Sequence, residues 1–98
     1  MKSIRWSRRS RTDLRDIRTY IARDSQHYAQ RMVSRIRRAV QHVRLFPEAG
    51  SLVAEWGSAE FREIYVGNYR VIYEVQLKTV DIVTIIHAAR QLPDLPDA

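Results

Sequence analysis

The chain has 98 residues, 45% of them hydrophobic, with three prolines and three glycines, the composition of one folded domain, 1–98, with too little chain for a second. It has no cysteine, which excludes disulfides, thiolate zinc sites and a cysteine nucleophile and suits a reducing compartment, so a cytoplasmic location is expected. Seventeen Lys and Arg against 11 Asp and Glu give a formal charge of +6, and 15 of the 17 cations are arginine, which favours planar contacts to phosphate or carboxylate and an anionic partner.

Residues 2–6 alternate, with Ile4 and Trp6 on one side and Arg5 on the other, and read as a first strand. Arg5, Arg8, Arg9 and Arg11 interrupt any apolar N-terminal run, and no stretch approaches the roughly 20 apolar residues that span a bilayer, so neither a plain signal peptide nor a membrane segment is expected. Ser7 or Ser10 can cap a helix with Leu14, Ile17, Tyr20 and Ile21 on one stripe and Arg11, Arg15 and Arg18 turned outward. Asp24-Ser25 ends it and can cap a second helix over Gln26–Leu45, where Ala29, Met32, Val33, Ile36, Val40 and Val43 recur at three- and four-residue intervals. So short a connection predicts an antiparallel helical hairpin.

Pro47 and Gly50 break that pattern, and the period then changes from 3.6 to 2. A short strand is expected near residues 52–54, a loop over "EWGSAE", and strands over Phe61–Val66, 69–76 and 80–87, with Gly67-Asn68 closing a two-residue hairpin. The last eight residues, "QLPDLPDA", are expected to fray. The expected fold is α+β: an N-terminal strand, an antiparallel two-helix hairpin, then a three- to four-stranded antiparallel meander with the helices packed on one face.

That register sets Tyr65 opposite Arg70 and sorts the meander into two faces. Ile64, Val66, Tyr69, Val71, Tyr73 and Val75 form a core face. Phe61, Glu63, Tyr65, Arg70, Ile72 and Glu74 form a mixed face, expected to be open to solvent, so that Arg70 need not be buried. Two readings of Arg70 follow: it pairs with Glu63 or Glu74 and stacks on Tyr65, or it joins Arg62, His87 or Arg90 in an anion site. His27, His42 and His87 lie on three different elements without an accompanying carboxylate motif, so no metal site is expected. Glycine-rich phosphate loops, HExxH helices and Ser-His-Asp sets are missing from the sequence, and no cofactor is implied.

The order of elements, with "NYRVIYEV", "VDIVTIIHAARQLP", Ile4-Arg5-Trp6-Ser7, Asp13-Leu14, the Asp24-Ser25 corner and Phe46-Pro47, resembles the RelE/ParE superfamily of bacterial type II toxins. The resemblance implies an acidic antitoxin that wraps the toxin in a hetero-oligomer, a partner suited to the positive charge. RelE-type members cut messenger RNA on the ribosome without a metal; on that pattern Arg70 and Arg90 would stabilise the scissile phosphate and His87 would move a proton. The chain departs from it, with Arg62, Glu63 and Ile64 where such nucleases carry lysines, and with no aromatic acid in a C-terminal helix. ParE-type members instead inhibit DNA gyrase by binding, and that branch is the expected one, with Arg62, Tyr65, Arg70 and Arg90 as binding residues.

Overall fold

Ser7 sets the first boundary of the fold. Its side chain accepts the N–H of Ser10 at 3.0 Å, capping the helix that follows, while its own N–H and hydroxyl donate to the carbonyls of Ile82 and Val83 at 3.0 and 2.8 Å. One residue thus ends a strand, starts a helix and ties both to the far end of the chain. The structure, a computed structural model, describes residues 1–95. In chain order it contains β1 (Ser3–Trp6), α1 (Arg8–Ala22), α2 (Gln26–Leu45), a 3-10 turn (Pro47–Ala49), β2 (Ser51–Leu52), β3 (Phe61–Val66), β4 (Tyr69–Val75) and β5 (Thr79–His87).

The strands form a five-stranded sheet in the order β1-β5-β4-β3-β2. Pairing is antiparallel from β2 to β5, with Val66 opposite Tyr69 and Tyr65 opposite Arg70 as the two-residue turn dictates. Gly67 takes a φ of 58° in that turn, a conformation that side chains rarely adopt. β1 runs parallel to β5, Ile4 beside Val80 and Trp6 beside Ile82, so the sheet is mixed. The helical hairpin carries the chain across one face to β2 at the opposite edge, and the meander through β3 and β4 brings it back to β5 beside β1.

Both helices pack on one face. Leu14, Ile17, Met32, Ile36, Val40 and Val43 meet Val66, Tyr69, Val71, Tyr73, Val80, Ile82 and Ile85 in the main core, each buried aliphatic side chain contributing about 1.5–3 kcal/mol. β5 carries an extra residue, Val83, opposite the Ile72–Tyr73 step of β4. Beyond the end of β1, the edge of β5 is satisfied from α1: Asp13 Oδ2 accepts the N–H of Ile85 at 3.0 Å and the hydroxyl of Thr84 at 2.5 Å.

Three expectations need correction. The mixed face is not open, because a second cluster of Val53, Phe61, Ile72 and Leu92, with Trp56, Val83 and Ile86, covers it. Val53 turns into that cluster, which moves β2 to Ser51–Leu52 rather than 52–54. The expected frayed tail is anchored through Leu92 and through Pro93, whose carbonyl accepts the indole N–H of Trp56 at 2.8 Å. Residues 96–98, the rest of that expectation, lie outside the described residues.

Candidate functional site

β3 and β4 bring Glu63 and Arg70 to the same face, and the loop after β2 brings Glu55 above them. The Arg70 side chain is only 6% exposed. Its Nε donates to Glu63 Oε1 at 2.6 Å, and Nη1 and Nη2 donate to the two oxygens of Glu55 at 2.8 and 3.0 Å. Nη2 also lies 2.5 Å from Glu63 Oε1. The expectation of a wet, accessible Arg70 is therefore overturned: burial is tolerated because two carboxylates neutralise the guanidinium and use its donors. Of its two anticipated partners, Glu63 is the one that binds it.

The cluster shifts the groups that form it. The hydrogen bonds from Arg70 hold the Glu55 carboxyl below its ordinary value, although that side chain is 49% exposed. The hydrogen bond to Glu55, followed by the interaction with Glu63, raises Arg70 further against the opposing effect of burial.

His87 and Arg90 occupy different ground. Tyr69 and His87 are partners on adjacent strands of the helix-packed face, their rings edge to face with centroids 5.4 Å apart. His87 Nδ1 accepts the N–H of Ala89 at 3.1 Å, and its carbonyl accepts the N–H of Arg90 at 3.0 Å. This turn places His87 and the exposed Arg90 together on an open groove of about 940 Å³ between α1, the start of α2 and the end of β5. Ile17, Met32 and Tyr69 also line it. Burial raises the Tyr69 hydroxyl above its ordinary value, with Arg90 acting in the opposite direction.

The expected site residues are thus divided by the sheet. His87 and Arg90 share the groove on the helix side, while Arg70 lies on the other face beneath Glu55. Tyr65 is 62% exposed on the Arg70 face. Arg62 points to the helix side, where Nη1 donates to the carbonyl of Gly50 at 2.8 Å. Sequence reasoning missed Glu55, which closes over Arg70, and Trp56 and Leu92, which help to cover the apolar part of the same face. The one available signal was Trp56, a large aromatic inside an otherwise polar loop.

With this geometry in view, comparison defines the class. Residues 4–92 match the model of the family described as ParE toxin of type II toxin-antitoxin system, parDE. The chain is 38% identical over 91 residues to "Toxin RelE2" of Caulobacter vibrioides, covering 92% of this chain and 99% of that one. It is 31% identical over 96 residues to "Putative toxin Y4kP" of Sinorhizobium fredii, covering 96% of each. A chain of the chromosomal ParDE system from P. aeruginosa has the same fold, with a TM-score of 0.73 at 20% identity over 89% of this chain and 96% of that one. A chain of the YoeB dimer from Staphylococcus aureus matches with a TM-score of 0.63 at 12% identity, over 88% and 95%. The protein belongs to the ParE toxin family of type II toxin-antitoxin systems. No helix among the described residues is long and apolar enough to cross a membrane.

Proposed function

We propose that this chain is a ParE-like toxin that inhibits DNA gyrase by binding it and is silenced by a cognate acidic antitoxin. The observation carrying this reading is the separation of Arg70 from His87. A phosphate held against the sheet cannot meet both groups, and Arg70 could receive one only after losing Glu55. Binding a protein target requires no such assembly. Tyr65 and Arg90, both exposed, are the proposed contacts, with Arg62 and Arg70 holding the surfaces beneath them. Purified chain should inhibit supercoiling by gyrase, and Tyr65→Ala and Arg90→Ala should weaken that inhibition. Unaltered supercoiling at excess toxin would overturn the proposal.

One observation favours a second reading. The relative named RelE2 is 38% identical across nearly all of the chain, and in a ribosome-dependent messenger RNA nuclease Arg90 would hold the phosphate with His87 as the proton carrier in their shared groove, Arg70 joining them only after release from Glu55 and a rearrangement of the sheet end. Messenger RNA cleaved soon after induction, with gyrase unaffected, would select this alternative.

A further inference from the structure

Charge is distributed unevenly along the chain. Residues 1–50 carry 13 Lys and Arg against 4 Asp and Glu, whereas residues 51–98 carry 4 against 7. The positive half is concentrated in the helices. α2 contains five arginines and no acidic residue; α1 contains five arginines and two aspartates, one of which, Asp13, is turned onto the edge of β5. The three ion pairs found among the described residues involve Arg5 and Arg70, so no arginine of either helix is paired in them.

Spacing turns this charge into two lines. Arg8, Arg11, Arg15 and Arg18 follow one another at intervals of three, four and three along α1, and all are exposed. Arg31, Arg35 and Arg38 do the same along α2, on the side away from the buried Met32, Ile36 and Val40. Successive members of each line lie about 5 Å apart along the helix axis. Like charges so placed repel and weaken an isolated helix by a few tenths of a kcal/mol per pair. The seven arginines of the two lines, none of them in those ion pairs, incur that cost, and a polyanion laid across them would remove it.

We propose that the arginine lines on the outer surface of α1 and α2 bind the phosphate backbone of duplex DNA. The residue type fits, because guanidinium groups make bidentate contacts to phosphate. Duplex DNA presents one charge for every 1.7 Å or so of its axis on a stiff frame, matching cations held at fixed helical intervals. Single strands are ordinarily held by aromatic stacking between the cations, and no aromatic residue interrupts either line. Duplex RNA is recognised chiefly by its A-form shape and by contacts across its minor groove, which two straight lines of phosphate-binding cations do not supply. Binding of this kind is independent of base sequence, since phosphate contacts position a protein without specifying a site.

The experiment is a salt titration of the intact purified chain on a fluorescent DNA duplex, with a duplex RNA and a single strand of equal length as comparisons. Affinity should fall linearly on a log–log plot, the slope losing about one for each arginine removed. Arg31→Gln/Arg38→Gln should therefore lower the slope by about two. Arg5→Gln/Lys78→Gln removes the same charge from outside the helices and should leave the slope unchanged. Equal slopes for the two double variants, or binding to the single strand or RNA as tight as to DNA, would overturn the proposal. So would a helix variant that binds DNA normally but loses an acidic partner peptide, which would assign the surface to a protein. Inhibition of gyrase by Arg31→Gln/Arg38→Gln, measured in parallel, separates failure here from failure of the gyrase reading.

Discussion

The hydroxyl of Tyr73 and the backbone of Gly50 are locked together inside the protein: Gly50 donates its N–H to that hydroxyl at 3.0 Å, and the hydroxyl donates onward to the carbonyl of Pro47 at 2.7 Å. The contact joins the middle of β4 to the bend where the helical half ends. A Cβ at Gly50 would lie 2.5 Å from the Tyr73 oxygen and 2.6 Å from the carbonyl of Glu63. Gly50→Ala should therefore displace the bend at a cost of about 1–3 kcal/mol. Tyr73→Phe should cost a similar amount by leaving buried backbone groups without partners. Urea denaturation reads both, and a midpoint unchanged in either variant would show that the bend accommodates the loss.

Arg70 supplies a second prediction. Glu63 is buried, so Arg70→Met strands a carboxylate in the interior and should destabilise by about 3–5 kcal/mol. Adding Glu63→Leu should recover much of the loss, because a pair replaced by apolar groups is less damaging than half a pair. Denaturation of the single and double variants checks this; a double variant as unstable as the single would mean that Glu63 is not the group left exposed to the cost.

Stability should depend on pH through Glu55. Its carboxyl titrates lower in the folded chain than in the unfolded chain because Arg70 holds the charged form. Its contribution is thus present above the unfolded value near 4.5 and is lost as pH falls through the folded value. Unfolding free energy followed downward from about pH 6 should decline in acid, and Glu55→Gln should decline less steeply. Identical acid limbs would remove Glu55 from the account.

Asp13 should matter to the sheet although it sits on a helix. Asp13→Ala deprives the Ile85 N–H and the Thr84 hydroxyl of their acceptor and should cost about 1–3 kcal/mol. Hydrogen exchange offers a local reading: the Ile85 amide should lose protection while amides in the β3–β4 hairpin keep theirs. Continued protection of Ile85 would count against the role of Asp13.

Most of the fold was legible because its boundaries are encoded locally. Ser7 and Ser25 accept the N–H groups that begin α1 and α2, the apolar spacing of α2 selects its buried side, and Gly67 fixes the turn that sets the β3–β4 register. The remaining features depend on residues far apart in sequence. Periodicity marked both β1 and β5 as strands but said nothing of their pairing across about 75 positions. Phe61 and Ile72 gave the Arg70 face half an apolar pattern, yet what covers them is a clasp between Trp56 and Leu92–Pro93. Among the site residues, the link to Glu63 followed from strand register, whereas Glu55 came from a loop whose path no local rule dictates.

The parallel seam between β1 and β5 has a consequence for how the protein is made. Its first strand leaves the ribosome early but has no neighbour to receive its hydrogen bonds until residues 79–82 have emerged. Until then the nascent chain lacks the closing strand of its sheet, and Ser7 and Asp13 wait for the carbonyls, amide and hydroxyl they will bind. Such long-range closure is a slow step in folding. The five-stranded sheet, and the surfaces built on both of its faces, therefore cannot assemble before β5 has been synthesised.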